Sequence, residues 1–278
     1  RVAERMQATT LALVGATGGA GTTRTAVELA ALGARDGRDV AVFDASFTTQ
    51  GLSEYVSGRI GTDLTTLITD ETGASLSAAT YPIDAGDGHT GTAGTAGDAG
   101  GDGDAPDLPG RADAIPARAP FERVARAKTA EAARKLERRI DEAATSYDAV
   151  IVDAAPVGSN EAVAGVTAAD RTAAVYPATT HGRDALQRLR GRVADVGAGV
   201  DRSIAVARGD DGENADGGAE SDADVRLPPT DPAVASAPTA ATGDGEYVRA
   251  VAAAFEDAFD ATVGLEFEEP GLVDRLTP

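Results

Sequence analysis

The stretch Leu11-Ala-Leu-Val-Gly-Ala-Thr-Gly-Gly-Ala-Gly-Thr-Thr-Arg24 constrains this chain more than any other. An apolar run, Leu11 to Val14, reads as a buried strand and passes directly into a glycine-rich turn. A helical pattern follows from about Thr22 to Ala34. In that order, strand, turn and helix aim backbone N–H groups and a helix N-terminus at one point. Such a point suits an anion, and a phosphate above all.

The remainder of the chain alternates short β-rich runs with longer helical patterns, as a parallel α/β sheet requires. Val40 to Phe43 reads as a strand ending at Asp44, and a short helix is expected around Asp63 to Ile68. Phe121 to Thr145 reads as one long helix with Val124, Leu136, Ile140 and Ala143 on one face. Ala149 to Val152 is a further strand ending at Asp153, and Thr172 to Tyr176 and Ser203 to Val206 are two more. Leu186, Leu189, Val193 and Val196 form a helical stripe, and a last helix from Gly245 to Phe259 turns Val248, Val251, Phe255 and Phe259 inward. The fold class expected is α/β, a doubly wound, mostly parallel sheet with helices on both faces. Two segments interrupt the rhythm. Asp84 to Gly110 is mostly Gly, Asp, Ala and Thr, and reads as a disordered surface insertion. Gly209 to Asp224 is a shorter acidic loop of the same kind. Both are expected to lie within one domain spanning 1–278, which closes on an acidic tail from Leu265 to Pro278.

Charge narrows the partners. The chain holds 45 acidic and 25 basic residues, a net charge of −20, and its only lysines are Lys128 and Lys135. An acidic, lysine-poor, haloarchaeal-type composition fits a cytoplasm with molar salt, where the Debye length is about 3 Å and self-repulsion is screened. No basic stripe exists to displace counterions, so direct nucleic-acid binding is not expected. The absence of cysteine excludes disulfides, thiolate zinc sites and cysteine nucleophiles. Of the two histidines, His89 lies in the insertion and His181 sits near a helix start as a polar neighbour of the cap. No apolar run approaches the roughly 18 residues that span a bilayer, and the expected location is cytoplasmic.

The glycine loop fits two nucleotide motifs. As a P-loop it reads as a deviant Walker A, usually written KGGxGKT, with Gly18, Gly19 and Gly21 at its glycines. As a dinucleotide loop, Gly15, Gly18 and Gly21 fit GxxGxxG, and Asp44 would hold a ribose hydroxyl. The loop alone accommodates both.

Three later stretches separate them. Tyr147-Asp-Ala-Val-Ile-Val-Asp153-Ala-Ala-Pro156-Val-Gly158 resembles the Walker B and switch II pattern YDxIIIDxPPG. Ala168-Ala-Asp170-Arg-Thr-Ala-Ala-Val-Tyr-Pro177 resembles the strand that follows it, and Leu227-Pro-Pro-Thr-Asp231-Pro-Ala-Val resembles a late loop written IPxDPxV. In order and spacing, most of residues 9 to 260 outside the insertions is similar to the MinD/ParA family of P-loop ATPases. The Tyr-x-x-x-Lys pair of short-chain dehydrogenases is missing, which leaves NmrA-like NAD(P)-binding sensors as the other reading.

The resemblance implies ATP or ADP with magnesium at Gly18, Gly19, Ala20, Gly21, Thr22, Thr23, Asp44 and Asp153, with Thr23 and Asp153 on the metal. It also implies a protein partner, a homodimer, and a role in cell division, chromosome partitioning or chemotaxis positioning. The departures fall on the chemistry. Thr17 and Thr22 stand where the family has its two lysines, and the switch I pattern D-x-D reads Asp44-Ala-Ser46. The adenine-contacting Asn-Arg pair reads Ala207-Arg208. Phosphoryl transfer relies on positioned charge, and one lost contact costs about 10²–10³ in rate. A degenerate member that binds nucleotide weakly, or a protein partner, without efficient hydrolysis is therefore expected, and no catalytic residue is assigned. The alternatives are a slow but genuine Mg-ATPase, in which Arg24 or a partner supplies the charge, and the NmrA-like sensor. Glu266, Glu268, Glu269 and Asp274 make the tail acidic, so attachment to an anionic membrane is not supported.

Overall fold

The computed structural model describes residues 9–70, 73–83, 108–209 and 223–267. Its strands are β1 (Thr9–Gly15), β2 (Asp39–Ala45), β3 (Tyr81–Pro82), β4 (Arg111–Ile115), β5 (Ala149–Ala154), β6 (Arg171–Pro177), β7 (Arg202–Val206) and β8 (Val225–Leu227). The helices are α1 (Thr22–Arg35), α2 (Leu64–Thr69), α3 (Phe121–Ala127), α4 (Ala130–Ala144), α5 (Asn160–Ala168), α6 (Thr180–Asp195) and α7 (Glu246–Phe259). The strands form one sheet in the order β3-β4-β2-β5-β1-β6-β7-β8. Neighbours pair in parallel except β3, which runs antiparallel to β4 at the edge.

Alternation of side chains divides the core in two. Leu11, Leu13, Val40, Val42, Ile151 and Val175 face α1 and α7, whereas Ala12, Val14, Phe43, Val150, Val152 and Tyr176 face the helices α2 to α6. A strand covered on both sides is apolar at every position. That is why the central strands are legible as short unbroken runs. Gly33 lets α1 pack closely between the sheet and α7, since a Cβ there would come within 2.7 Å of Val40 and 3.0 Å of Phe255.

One expectation needs correction. The single helix from Phe121 to Thr145 is two helices, α3 and α4, because Thr129 breaks the pattern and caps α4, its hydroxyl accepting from the Ala132 N–H at 3.3 Å. Val124, Leu136, Ile140 and Ala143 are nonetheless all buried. Strand β4 and helix α5 were not expected. In β4 the sequence Arg-Ala-Asp-Ala-Ile conceals a strand because its polar residues are partnered, with Asp113 accepting from the Tyr147 hydroxyl at 2.8 Å and Arg111 lying 4.7 Å over the Tyr147 ring. Of the segment expected to be disordered, residues 84–107 lie outside the described residues, while the Gly110 N–H donates to the Ala34 carbonyl at 2.9 Å and leads into β4. Residues 210–222 and 268–278, which include most of the acidic loop and tail, and His89 also lie outside the described residues. Among the described residues no helix is long and apolar enough to cross a membrane.

One device recurs along the lower edge of the sheet. Asp148, Asp170, Asp201 and Asp224 each immediately precede a strand, and each accepts the backbone N–H of a residue at the start of the neighbouring strand. The pairs are Asp148 with Asp39, Asp170 with Thr10, Asp201 with Thr172 and Asp224 with Ser203, at 2.7–2.8 Å. The N–H of each aspartate returns a bond to the carbonyl of the same residue. Each aspartate thus closes a two-bond ring that pins the register between adjacent strands. Replacing Asp170 by Ala should cost about 1–2 kcal/mol in denaturant unfolding, whereas Asp170→Asn, which keeps an acceptor oxygen, should cost less than half as much. Equal losses for the two variants would show that the ring is not what the side chain contributes.

Candidate functional site

The carboxyl ends of β2, β5 and β1, adjacent in the sheet, meet the start of α1 at one place. Ligands of open α/β sheets bind at such an edge. After β1 the chain turns through Gly15 to Gly21, with Gly19 at φ 70 and Gly21 at φ 92. Gly21 is the N-cap of α1 and has no side chain to accept from the first-turn N–H groups, and no acidic residue stands in that turn. The Thr22 hydroxyl folds back over Gly15, where a Cβ would approach it to 2.8 Å. The loop therefore presents backbone donors that no side-chain cap satisfies, a geometry that receives an anion.

Beneath the loop the parallel register sets Asp44 of β2 directly opposite Asp153 of β5. Both are buried, and the Thr23 hydroxyl in the first turn of α1 donates to Asp153 Oδ2 at 2.6 Å. The Ser46 N–H donates to Asp44 Oδ1 at 3.0 Å. Asp44 Oδ2 and Asp153 Oδ1 are buried without a hydrogen-bond partner. Burial, and then the charge of Asp153, push the Asp44 carboxyl up to about 8 against the pull of the Ser46, Ala117 and Leu52 amides. Burial pushes Asp153 up to about 6, with the Thr23 hydroxyl pulling the other way. Two adjacent buried acids with unspent oxygens fit a hard cation, and magnesium takes one or two carboxylates together with waters and phosphate oxygens. Among the described residues there is no group of three or more acidic or histidine side chains that would form a cage independent of a ligand.

Of the residues expected at the site, Gly18, Gly19, Ala20, Gly21 and Thr22 form the loop, and Thr23, Asp44 and Asp153 converge below it. Ser46 contributes only its backbone to Asp44. His181 is exposed near the start of α6, whose cap is Thr179. Arg24 does not serve the loop. Its guanidinium is committed to Glu28 at 2.7 Å, to the carbonyls of Asp231 and Ala233, and to the Thr239 hydroxyl. Glu28 is fully buried and also accepts from the N–H groups of Thr239 and Ala240. This pair fastens the proline-rich loop to α1 and shapes a cavity of about 560 Å³ beside Gly21, lined by Val206, Pro228, Pro232 and Tyr247 among others. Asp44 cannot take the ribose role of a dinucleotide site. In that fold β2 lies next to β1, whereas here β5 intervenes and sets Asp44 two strand spacings, about 10 Å, from β1.

Lys128 was not expected to take part. It follows α3, donates to the Thr48 hydroxyl at 2.7 Å and pairs with the buried Glu161 at 3.3 Å, tying the loop after β2 to the start of α5. Nothing in its local sequence announces the link, because both partners are remote in the chain.

No protein-family model matches the chain, and no curated protein matches it in sequence. Solved structures do resemble it. The cell division ATPase MinD of Pyrococcus furiosus is similar over 91% of this chain and 98% of that one, with a TM-score of 0.61 at 15% identity. The septum site-determining protein MinD of Pyrococcus horikoshii, complexed with Mg-ADP, is similar over 74% and 73%, with a TM-score of 0.57 at 17% identity. Cobyrinic acid a,c-diamide synthase of Mycobacterium smegmatis, with bound ADP and magnesium, is similar over 75% and 78%, with a TM-score of 0.54 at 16% identity. At these identities the likeness establishes the fold, that of a MinD-like P-loop protein.

The carboxylate pair makes stability depend on pH. Asp44 and Asp153 hold protons in the native state to higher pH than the unfolded chain does. Their stabilising contribution is complete below about pH 4 and is lost as pH rises to about 8. Asp44→Asn removes most of that loss. Between pH 5 and pH 8 the variant should gain on the parent by on the order of 2–4 kcal/mol in chemical denaturation without divalent metal. A difference that stays flat across that range would mean the two acids do not share a dry site.

Proposed function

We propose that the chain is a MinD/ParA-type protein that binds an adenine nucleotide with magnesium, and that it acts through the bound state on a partner protein rather than by efficient hydrolysis. The observation that carries this reading is the pair of buried carboxylates with unspent oxygens, one of them hydrogen-bonded to Thr23, beneath an uncapped glycine turn. The backbone donors of Gly18 to Gly21 would hold phosphate, and Thr23 with Asp153 would hold the metal, Asp44 standing behind it. A magnesium ion held there would supply positive charge against the phosphates. The apolar cavity beside Gly21 falls within the size of ordinary ligand pockets, about 300–1,000 Å³, and accommodates a base.

Hydrolysis is disfavoured by what is missing. Thr17 and Thr22 carry no charge, Ser46 replaces a carboxylate, and Arg24 is held by Glu28. A site that binds without fast turnover is suited to a switch, in which bound and free forms differ in affinity for a second protein or a second copy of the chain. Two of the similar structures are a septum site-determining protein and a cell division ATPase, which supports a role in spatial organisation within the cell.

Thermal unfolding in molar KCl tests the reading. ATP with magnesium at a hundred times its dissociation constant should stabilise by about 2.7 kcal/mol, and chelation of the metal should remove most of the shift. Asp153→Asn should erase the difference between metal and chelator, and NAD(H) should have no effect. Phosphate release from ATP should stay slow. A shift with NAD(H) alone, or with no nucleotide at all, would overturn the proposal.

A further inference from the structure

The nucleotide-binding reading leaves a triphosphate without a cationic side chain on its loop, and the inference drawn here rests on that reading. Among the described residues, two arginines line the cavity beside the loop, Arg24 and Arg208. Arg24 is turned away to Glu28 and the 231–239 segment. Arg208 is turned toward the loop. Its Nη2 donates to the carbonyl of Gly19, and a Cβ built on Gly19 would lie 3.9 Å from the same nitrogen.

The fold explains the reach. β7 lies two strands from β1, with β6 between them, and its last residue, Val206, packs against Gly21, where a Cβ would stand 3.6 Å from Val206 Cγ1. The chain leaving β7 therefore passes over the glycine turn, and a long side chain two residues later arrives at the loop's rim. A guanidinium presents five N–H donors in a planar fork, so it can hold a loop carbonyl and a phosphate oxygen together. On the β5 side of the same loop, the unpartnered, buried oxygens of Asp44 and Asp153 mark a ligand site independently of the helix start.

We propose that Arg208 supplies, from the end of β7, the phosphate-neutralising charge that other P-loops take from a lysine within the loop. The Thr at position 22 in place of Lys is then not a simple loss, because the charge has moved to the chain leaving β7, two strands away. Although Arg208 stands where the family has the arginine of its adenine-contacting pair, here it binds phosphate and leaves the base to the apolar wall formed by Val206, Pro228, Pro232 and Tyr247.

The test compares ATP with adenosine, both with magnesium, by calorimetric titration of the full chain. Arg208→Ala should weaken ATP by about tenfold or more and adenosine by about twofold or less. Arg208→Lys should recover part of the ATP affinity. Thr22→Lys added to Arg208→Ala should restore it, because the two side chains serve one charge. Ligand-free melting temperatures report whether the variants fold. Should the alanine variant fail to fold, Arg208→Gln gives the same comparison with the stem retained. Equal weakening of ATP and adenosine, or unchanged ATP affinity in a wild type that binds it, overturns the role of Arg208 alone. A wild type that binds neither probe overturns the nucleotide reading and this assignment with it.

Discussion

Two carboxylates facing each other in a dry strand pair are costly to ionise together, and the structure forces that arrangement on Asp44 and Asp153. The parallel register of β2 and β5 puts them side by side, and the first turn of α1 brings one hydroxyl, from Thr23, to only one of them. Everything near the site answers to this constraint. The loop must turn tightly enough to deliver Thr23, which sets Gly19 and Gly21 in left-handed conformations. The amide of Ser46 must face Asp44. The remaining oxygen of each has no hydrogen-bond partner among the described residues, and a buried acceptor left over in this way needs an explanation, which the proposed metal supplies.

The two ends of the proposed nucleotide site are held by different chemistry. Backbone amides and carboxylates form the first. The second depends on the buried Glu28, which gathers Arg24 and two amides of the 239–240 turn and so fixes that segment on α1 beside the cavity that Tyr247 lines. Breaking a buried pair of this kind costs about 3–5 kcal/mol, so Arg24 is far more valuable as a fastener than as a mobile charge. That division leaves Arg208 at the loop.

The sheet and the loop could be read from the sequence because their signals are local. Leu11 to Val14 and Ala149 to Val152 are unbroken apolar runs, Asp44 and Asp153 end strands, and the glycines stand between a strand and a helix. What escaped reading depends on distant partners. Arg111 and Asp113 look like loop residues until Tyr147 is placed across from them. The break at Thr129 is a single capping hydroxyl inside a helical pattern that is otherwise continuous. Arg24 is adjacent to the loop in sequence and belongs to another part of the site, whereas Arg208 is remote in sequence and touches the loop. Side-chain direction decides both, and spacing along the chain carries little of it.

The aspartate rings along the opposite edge bear on any attempt to re-engineer this molecule's charge. A chain at net −20 invites wholesale replacement of acids by neutral or basic residues, for instance to adapt it to dilute buffer. Surface counting would treat Asp148, Asp170, Asp201 and Asp224 as expendable, yet each closes a ring between neighbouring strands. A recoded surface should leave those four in place and take its substitutions from helix faces, where acids such as Glu131 and Glu142 pair with neighbours on their own helix. The exposed acids of this protein are thus two populations with one composition, one that colours the surface and one that aligns the sheet.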